Sequence, residues 1–389
     1  MRQFGQMTPM QPRARMTTLY RRSPNLVFYW SGKKLVLENY YARSKVRASP
    51  LVFQLLSFFD SWRRAETIEN HFPQFSSAAL RAGLSVLVHH GLLQRSDRRH
   101  EAVVPQAMDS WADWNPAAGY LHFSTKDVHY VSDLDLLLQR RRARAKTRPM
   151  PAPVKRYPGA KRTALPTPRH SGEFPQVLLA RRTWRRFSSE SVEFSALSTL
   201  LGLSFGVHWW VDLPGLGRLA LKTSPSAGAL HPIETYVLAR RVTNLPPGLY
   251  HYAADKHCLE LLKRGASSRQ VVRYLAGQKW FGRTAALVLM TAVFRRPQWK
   301  YQSPRAYRAV LIDAGHVCQT FCLVATWLGL APFCTMALVD SRIEADLGID
   351  GVSESVLYAA GVGTLPRGLK WAPWPTHFHG TRHPNSSFA

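Results

Sequence analysis

Two neighbouring apolar segments in the second half of the chain most constrain its fold. AALVLMTAVF at residues 285–294 predicts a buried strand, and RAYRAVLIDAGHVCQTFCLVATWLGL at residues 305–330 predicts a long apolar helix. Further helices are predicted for FPQVLLARRTWRRF (174–187) and SALSTLLGLSFG (195–206), a strand for ETYVLARRV (234–242) and a hairpin for GLYHYAADKHCLELLKR (248–264). A domain that mixes helices and strands therefore begins near residue 174.

Length and charge limit the classes of partner. At 389 residues the chain is long enough for two domains of ordinary size. Its 52 Lys and Arg against 24 Asp and Glu give a net charge of +28, which suits nucleic acid, anionic membranes, phosphate-bearing cofactors and acidic peptides. Because arginine dominates this charge, a bias in composition explains it equally well.

The cysteines and the N-terminus indicate the compartment. Cys258, Cys318, Cys322 and Cys334 include no CxxC pair and no accompanying histidine cluster, so we expect small, buried, apolar thiols of a reducing compartment and no metal. The first 22 residues lack the apolar core of a signal peptide, and residues 317–330 are too short for a membrane span. The expectation is a cytoplasmic protein without a membrane anchor.

The front of the chain, residues 20–105, has the pattern of a small winged-helix module. LVFYWSGKKLVL at residues 26–37 predicts a hairpin around a Ser-Gly turn, and helices are predicted to begin at Pro50 and at Ser76 or Ser77. This shape suits DNA or a peptide, but the last helix has no cluster of Arg, Asn and Gln on one face. Peptide binding is favoured, and a DNA-binding regulator remains an alternative.

Composition also sets the remaining boundaries. A connecting segment is predicted at residues 106–173, and within it the basic, proline-rich residues 136–170 are too poor in apolar side chains to form a core, which indicates a linker. The mixed domain then extends over residues 174–375 and is followed by a tail at residues 376–389.

The cluster ARRTWRRF at residues 180–187 is a candidate anion site. Arg181, Arg182 and Arg185 surround the hydroxyl of Thr183, and guanidinium groups form paired, charge-assisted hydrogen bonds to phosphate. In a chain so rich in arginine, a solvated helix face remains the alternative.

The stretch SPSAGALHP at residues 224–232 removes side-chain bulk just before a predicted strand. Small side chains let the backbone approach a planar or anionic ligand. The residues concerned are Pro225, Ser226, Ala227, Gly228 and Ala229. A plain surface turn is the alternative.

Two pairs later in the chain are further candidates. A positive charge beside a phenol stabilises the phenolate, so Lys300 and Tyr301 are a candidate proton-transfer pair, provided that irregular backbone brings both side chains to one face. Gly361 and Gly363 either bring backbone close to a ligand or simply end a strand. They do not form a GxGxxG motif within a βαβ unit, which argues against a Rossmann NAD site.

In this order, these stretches resemble the SagB/McbC/ThcOx-type branch of the nitroreductase-like flavoproteins, which includes azoline oxidases. RRTWRRF is similar to the family's phosphate motif, SPSAGALHP to its PSAGALYP loop, and residues 305–330 to its long helix with Ala-Gly-His and Leu-Gly-Leu. The resemblance covers about residues 175–365, with a fainter match at YLHFSTKD, residues 120–127.

The resemblance implies an α+β, nitroreductase-like FMN-binding fold and a homodimer. It implies that FMN is bound by Arg181, Arg182, Thr183 and Arg185 at the phosphate and ribityl end, by Pro225, Ser226, Ala227, Gly228 and Ala229 along the ring, and by Gly361 and Gly363. It also implies that Lys300 and Tyr301 are catalytic, while His231 replaces a common tyrosine and faces the substrate. The stretch APFCTMAL, where the family is often glycine-rich, departs from the pattern.

The implied function is an FMN-dependent dehydrogenase that oxidises thiazoline or oxazoline rings to azoles, or performs a similar dehydrogenation, in a ribosomally made peptide. Its expected partners are a precursor peptide with an acidic leader and a cyclodehydratase, with no membrane and no nucleic acid. A general NAD(P)H-dependent nitroreductase and a non-catalytic scaffold of a peptide-modifying complex are the alternatives.

Overall fold

The structure is a computed structural model that describes residues 18–97, 110–148, 152–155, 159, 161–166, 168–169, 171–214 and 217–366. The chain divides into two compact units, Met1–Thr125 and Lys126–Ala389. This division falls inside the connecting segment predicted at residues 106–173, whose limits stay a prediction. The predicted tail, residues 376–389, lies outside the described residues.

The first unit contains short antiparallel sheets and helices. Its strands are β1 (Leu19–Arg22), β2 (Leu26–Ser31), β3 (Lys34–Asn39), β4 (Ser44–Arg47), β5 (Arg63–Arg64) and β6 (Leu93–Arg95), paired in the orders β5-β1-β6 and β2-β3-β4. Its helices are α1 (Pro50–Phe58), α2 (Thr67–His71), α3 (Ser77–His89) and α4 (Ala117–Ser124). The predicted hairpin is confirmed, since β2 pairs with β3 around Gly32, whose φ is +59°.

The helix starts in this unit follow local signals. Ser49 precedes Pro50 and its side chain accepts a hydrogen bond from the amide of Val52, and Ser76 caps α3 in the same way. The inward faces of α1 and α3 form a core with Leu37, Leu92 and Leu93. Both predicted helix starts are therefore confirmed.

The winged-helix assignment stays a prediction, because residues 98–109, which follow the last strand of this unit, lie outside the described residues. Within the described part, α3 exposes small side chains such as Ala78 and Ala82 together with Arg81. Arg81 lies 3.6 Å from the carboxylate of Glu69. This face therefore lacks the cluster of free cations that contacts DNA phosphates.

A six-stranded antiparallel sheet organises the second unit. Its strands are β9 (Ile233–Ala239), β10 (Gly248–Ala253), β11 (Cys258–Arg264), β12 (Ala286–Val293), β13 (Ala331–Thr335) and β14 (Glu354–Gly363), in the order β11-β10-β9-β12-β14-β13. A separate hairpin, β7 (Trp209–Leu213) with β8 (Gly217–Leu221), precedes them. The predicted strands and the predicted hairpin of β10 and β11 are confirmed.

The central strand β12 is buried on both faces, as its continuous apolar run predicts. Leu287 and Leu289 belong to a core cluster on one face, whereas Val288 and Met290 point to the other face and are equally inaccessible. The helices that surround the sheet are α5 (Leu134–Thr147), α6 (Glu173–Ala180), α7 (Phe194–Phe205), α8 (Ser268–Tyr274), α9 (Arg295–Lys300), α10 (Ala306–Trp327) and α11 (Asp340–Leu347).

The long helix α10 packs against β9, β13 and β14 as well as α6 and α7. Residues 317–327 of the predicted short apolar segment belong to this longer helix, whose 22 residues are long and apolar enough to cross a membrane by length and composition alone. Half of its most apolar window is buried inside the protein, which is the pattern of a core helix.

The connecting segment differs from the prediction at one end. Residues 134–147 form helix α5, although residues 136–170 were predicted to be a linker. The carboxylate of Asp133 caps this helix by accepting a hydrogen bond from the amide of Leu136 at 3.0 Å, and the arginines, lysine and alanines that follow have high helix propensity. Low apolar content excludes a core but not a solvated helix.

Candidate active site

The loop of small side chains before β9 adopts a constrained conformation. It contains a 3₁₀ turn at Ala227–Ala229, and φ is positive at Gly228 (+65°), Ala229 (+56°) and His231 (+40°). Residues other than glycine adopt the left-handed region at a cost of roughly 1–2 kcal/mol. Contacts elsewhere in the fold must therefore hold this loop in place, as is common at functional sites.

One of these contacts is the buried carboxylate of Asp313 on α10. It accepts a hydrogen bond from the hydroxyl of Ser226 at 2.5 Å, and the same hydroxyl oxygen accepts one from the amide of His231 at 3.0 Å. Burial raises the pKa of Asp313, while hydrogen bonds from Ser226 and from the amide of Ala227 oppose that rise. The two ends of the loop are thus tied to one side chain.

Two further residues on the same face of α10 contact the start of the loop. The carbonyl of Pro225 lies 3.2 Å from Nδ1 of His316, and the hydroxyls of Ser224 and Thr320 are 2.7 Å apart. Asp313, His316 and Thr320 are spaced by three and four residues, so they line one face of the helix. The helix therefore fixes the loop at three points.

Lys300 and Tyr301 converge on the middle of this loop. A Cβ atom added at Gly228 would lie 2.8 Å from both the Lys300 ammonium nitrogen and the Tyr301 hydroxyl oxygen. The ammonium nitrogen is 5.6 Å from the centre of the Tyr301 ring. Lys300 ends α9, and Tyr301 follows with φ −120° and ψ 95°, so the change from helix to extended backbone brings both side chains together. This is the irregular backbone that the pairing requires.

The other end of the loop borders a cleft of about 650 Å³. His231 and Lys222 line it together with Arg296 and the exposed Trp299. Burial, and secondly the charge of Lys222, lowers the pKa of His231 to about 4. Burial also lowers the pKa of Lys222, whose ammonium has no hydrogen bond to any described residue. At neutral pH this wall of the cleft therefore presents a neutral imidazole.

Glu234 connects this cleft to β9. Its carboxylate forms an ion pair with Arg296, which also donates to the carbonyl of His231 at 2.9 Å. Its other oxygen lies 3.4 Å from Nε2 of His251, whose Nδ1 is 2.8 Å from Glu260. The pKa of His251 is raised to about 9, chiefly by its hydrogen bond with Glu234 and also by that with Glu260, while burial opposes the rise. The floor of the cleft is therefore a charge-paired network.

The arginine cluster departs from the predicted structure, because helix α6 ends at Ala180 and residues 181–188 form no regular secondary structure. The backbone of Trp184 pairs with the strand region beside it, donating to the carbonyl of Pro332 at 2.9 Å. The guanidinium of Arg182 donates to the carbonyls of Leu179 and Arg181, both at 2.7 Å. The predicted helix over residues 174–187 was thus too long, since these carbonyls at its end are capped by a side chain.

The neighbours of Arg182 are available to a ligand. Arg181 and Thr183 are half-buried and Arg185 is exposed, and no described residue accepts a hydrogen bond from any of these three side chains. Two guanidinium groups and a hydroxyl without internal partners form a donor set that fits a phosphate group. Arg182 fits less well, because its guanidinium already caps the helix.

Gly361 and Gly363 lie at the end of β14, and packing explains why both lack a side chain. A Cβ atom at Gly361 would overlap the ring of Phe333, and one at Gly363 would lie 2.8 Å from the ring of Phe187. Both rings are buried. A role for these glycines in cofactor binding stays a prediction.

Three cysteines form a cluster that the sequence does not predict. The sulfur atoms of Cys318, Cys322 and Cys334 all lie within 4.8 Å of one another, and Cys258 is exposed. The expectation of buried thiols is confirmed for Cys318 and Cys322 and is wrong for the exposed Cys258, and Cys334 is half-buried. Cys318 and Cys322 are one turn apart on α10, but only the packing of β13 against that helix adds Cys334.

The sequence does not predict Asp313, His316 and Thr320 as loop anchors, or Lys222 and Arg296 as lining residues of the cleft. The first three were present in the predicted helix, and their spacing of three and four residues was the signal that identifies one polar face on an apolar helix. Lys222 and Arg296 are far apart in the chain and gave no such signal.

The similarity to a known family lies within the second unit. The sequence profile of the nitroreductase family matches residues 178–364. MJ1384 of Methanocaldococcus jannaschii, which carries a nitroreductase name, is 30% identical over 173 residues, or 44% of this chain and 83% of MJ1384. The chain belongs to the nitroreductase family. The predicted nitroreductase-like fold, with mixed helices and strands, is thereby confirmed, and proteins of this family typically bind FMN.

Two further relatives are named as processing proteins, one for trifolitoxin and one for microcin B17. The trifolitoxin-processing protein TfxB of Rhizobium leguminosarum bv. trifolii is 30% identical over 156 residues, or 38% of this chain and 41% of TfxB. The microcin B17-processing protein McbC of Escherichia coli is 28% identical over 132 residues, or 32% of this chain and 48% of McbC. The matched region thus spans less than half the length of each of these two proteins.

Proposed function

We propose that this nitroreductase-family protein is a SagB-type, FMN-dependent dehydrogenase that oxidises azoline rings in a ribosomally made peptide. Two relatives that process trifolitoxin and microcin B17 support a peptide substrate. Because each is matched over less than half its length, the activity and the substrate are inferences from the site of this chain.

The observation that carries this proposal is the convergence of Lys300 and Tyr301 on Gly228. A phenol and an ammonium group face one point of a loop whose side chains leave room for a flat ligand. An azoline becomes an azole when one ring carbon loses a proton and its neighbour loses a hydride. A proton acceptor that contacts the cofactor loop is therefore what the reaction requires of the protein.

The residues present fit FMN. Arg181, Thr183 and Arg185 would hold its phosphate and ribityl end, and the backbone of residues 225–229 would lie along its ring. When bound, FMN supplies hydride acceptance, which no side chain can provide. The loop is held by three anchors on α10, so its position does not depend on the ligand.

Tyr301 would take the proton from the ring carbon, and Lys300 would stabilise the phenolate through its positive charge. His231 would contact the substrate as a neutral imidazole, because burial lowers its pKa to about 4. The cleft beside it would receive the peptide on either side of the reacting ring.

The test begins with the visible spectrum and the bound flavin of the purified chain. Conversion of an azoline-containing peptide is then measured as loss of two hydrogen atoms by mass spectrometry. Lys300→Ala and Tyr301→Phe should reduce the rate about 10²- to 10⁴-fold with FMN retained. The matched control is Tyr130→Phe, which removes an exposed hydroxyl bonded only weakly to the carbonyl of Met336 at 3.4 Å. A colourless protein that does not bind added FMN would contradict the proposal.

A general NAD(P)H-dependent nitroreductase is a second candidate, favoured by the match over 83% of MJ1384. That activity needs the cofactor but not a proton acceptor at position 301. Reduction of a nitroaromatic compound with full rate in Lys300→Ala and Tyr301→Phe, and no turnover of azoline peptides, would favour this second function.

The first unit would bind the leader of the precursor peptide. Strand β2 lies at the edge of its sheet and exposes Trp30 and Phe28, with Lys33 and Lys34 in the adjoining turn and strand. An edge strand can pair with an extended peptide, and these cations favour an acidic one. In a titration of the full chain with its precursor peptide, Trp30→Ser should raise the dissociation constant tenfold relative to the native chain, a loss of about 1.4 kcal/mol in binding free energy. A homodimer and a cyclodehydratase partner stay predictions.

A further inference from the structure

The cluster of three cysteines beside the sheet has a geometry that apolar packing does not explain. Cys318 and Cys322 are buried on α10, and Cys334 is half-buried on β13. The three sulfur atoms lie within 4.8 Å of one another, although they come from two elements that are separate in the chain. The side chains therefore converge on one point between helix and strand.

A disulfide within the helix does not account for this arrangement. Residues one turn apart on a helix have Cβ atoms about 5–6 Å apart, whereas a disulfide needs about 3.5–4.5 Å. Cys318 and Cys322 therefore cannot bridge while α10 is intact. A bond from either of them to Cys334 would leave the third thiol next to it without a partner.

The sulfur positions suit a soft metal ion with three ligands. A planar site with metal–sulfur bonds of about 2.3 Å places its sulfur atoms about 4 Å apart, so small side-chain rotations would close the present spacing. Zinc prefers four ligands in a structural site, and among the described residues the group contains only these three candidate ligand atoms. Cu(I) accepts three thiolates and is among the metals that soft sulfur ligands select.

The surroundings also suit a negatively charged site. Three thiolates around Cu(I) carry two net negative charges, which a buried position tolerates only beside a cation or hydrogen-bond donors. Arg181 is close enough for its positive charge to act on both Cys322 and Cys334. Partial exposure of Cys334 gives an ion a way in.

We propose that Cys318, Cys322 and Cys334 form a Cu(I)-binding site between α10 and β13. None of the three ligands belongs to the loop or to the Lys300–Tyr301 pair, so Cu(I) binding can be tested apart from the peptide dehydrogenase activity. The two proposed sites share one neighbour, Arg181, which would also hold the FMN phosphate.

The test uses the full chain with the flavin it carries, kept anaerobic with a phosphine reductant. Cu(I) is supplied in competition with a coloured chelator, and the near-ultraviolet absorption of Cu(I)–thiolate bonds is recorded. One equivalent should bind to the native chain. Removal of a ligand in Cys318→Ser, Cys322→Ser or Cys334→Ser should weaken Cu(I) binding about 100-fold or more. This loss is at least as large as that caused by replacing a residue that only supports the ligands. Cys258→Ser is the matched control and should bind as the native chain does.

Circular dichroism and flavin content show whether each variant is folded. If a buried serine prevents folding, Cys334→Ser at the half-buried position still tests the site. Uptake of Zn(II) but not Cu(I) would overturn the assignment. So would an absence of Cu(I) binding when thiol titration finds all four cysteines reduced, or equal binding by the native chain and the folded Cys334→Ser variant.

Discussion

Substitution of Gly228 by alanine tests the arrangement of the site most directly. The added methyl group would lie 2.8 Å from both the ammonium of Lys300 and the hydroxyl of Tyr301. Both contacts are with the far ends of side chains, so the fold survives if these two groups move away. The backbone at φ +65° adds strain of roughly 1–2 kcal/mol, as for other L-residues in the left-handed region.

The expected result separates activity from stability. A shift of the reacting groups by about 1 Å lowers catalytic rates on the order of 100-fold, so kcat for an azoline peptide should fall by about that factor. The free energy of unfolding should fall only by the backbone strain. Measurements of kcat, bound flavin and urea denaturation on the same preparation provide these values.

Gly348→Ala is the matched control, because Gly348 also has a positive φ, +73°, and a Cβ atom there would meet nothing within 4 Å. It should lose similar stability and keep its activity. If both variants keep the same kcat, Lys300 and Tyr301 are not held against Gly228 in the working enzyme, and the reasoning fails.

Three other predictions concern the support of the site. The pKa of His251 is raised to about 9, so its protonation stabilises the fold fully below the unfolded pKa of about 6.5 and progressively less as the pH rises through 9. In Glu234→Gln, the free energy of unfolding measured by urea denaturation should therefore depend less on pH across this range. Gly361→Ala should lower the free energy of unfolding by about 1–3 kcal/mol, measured by the same method, because its Cβ would overlap a buried ring, and an unchanged value would refute this packing. Asp313→Ala should lower the free energy of unfolding by about 1.5–3 kcal/mol and weaken flavin binding, measured by fluorescence. Unchanged flavin affinity would show that the loop needs no anchor.

Elements with a strong local signal were predictable from the sequence. The continuous apolar run of β12 identifies it, since burial on both faces leaves no room for polar alternation. The long apolar pattern of α10 identifies that helix, which buries one side against the sheet. Serine caps likewise fixed the starts of α1 and α3. The end of α6 was not predictable, because the arginines after Ala180 favour a helix by themselves, whereas the backbone of Trp184 bonds to Pro332 in a distant part of the chain.

The sequence by itself determined which candidate residues exist: an arginine cluster, a loop of small side chains and a Lys-Tyr pair. Only the tertiary structure decided that Lys300 and Tyr301 face Gly228, that Asp313 holds this loop, and that Cys334 joins two thiols on a helix. Local sequence controls the backbone over a few residues through propensity and capping. Contacts between residues tens of positions apart depend on how helices pack against the sheet, because that packing is decided by the burial of many side chains at once.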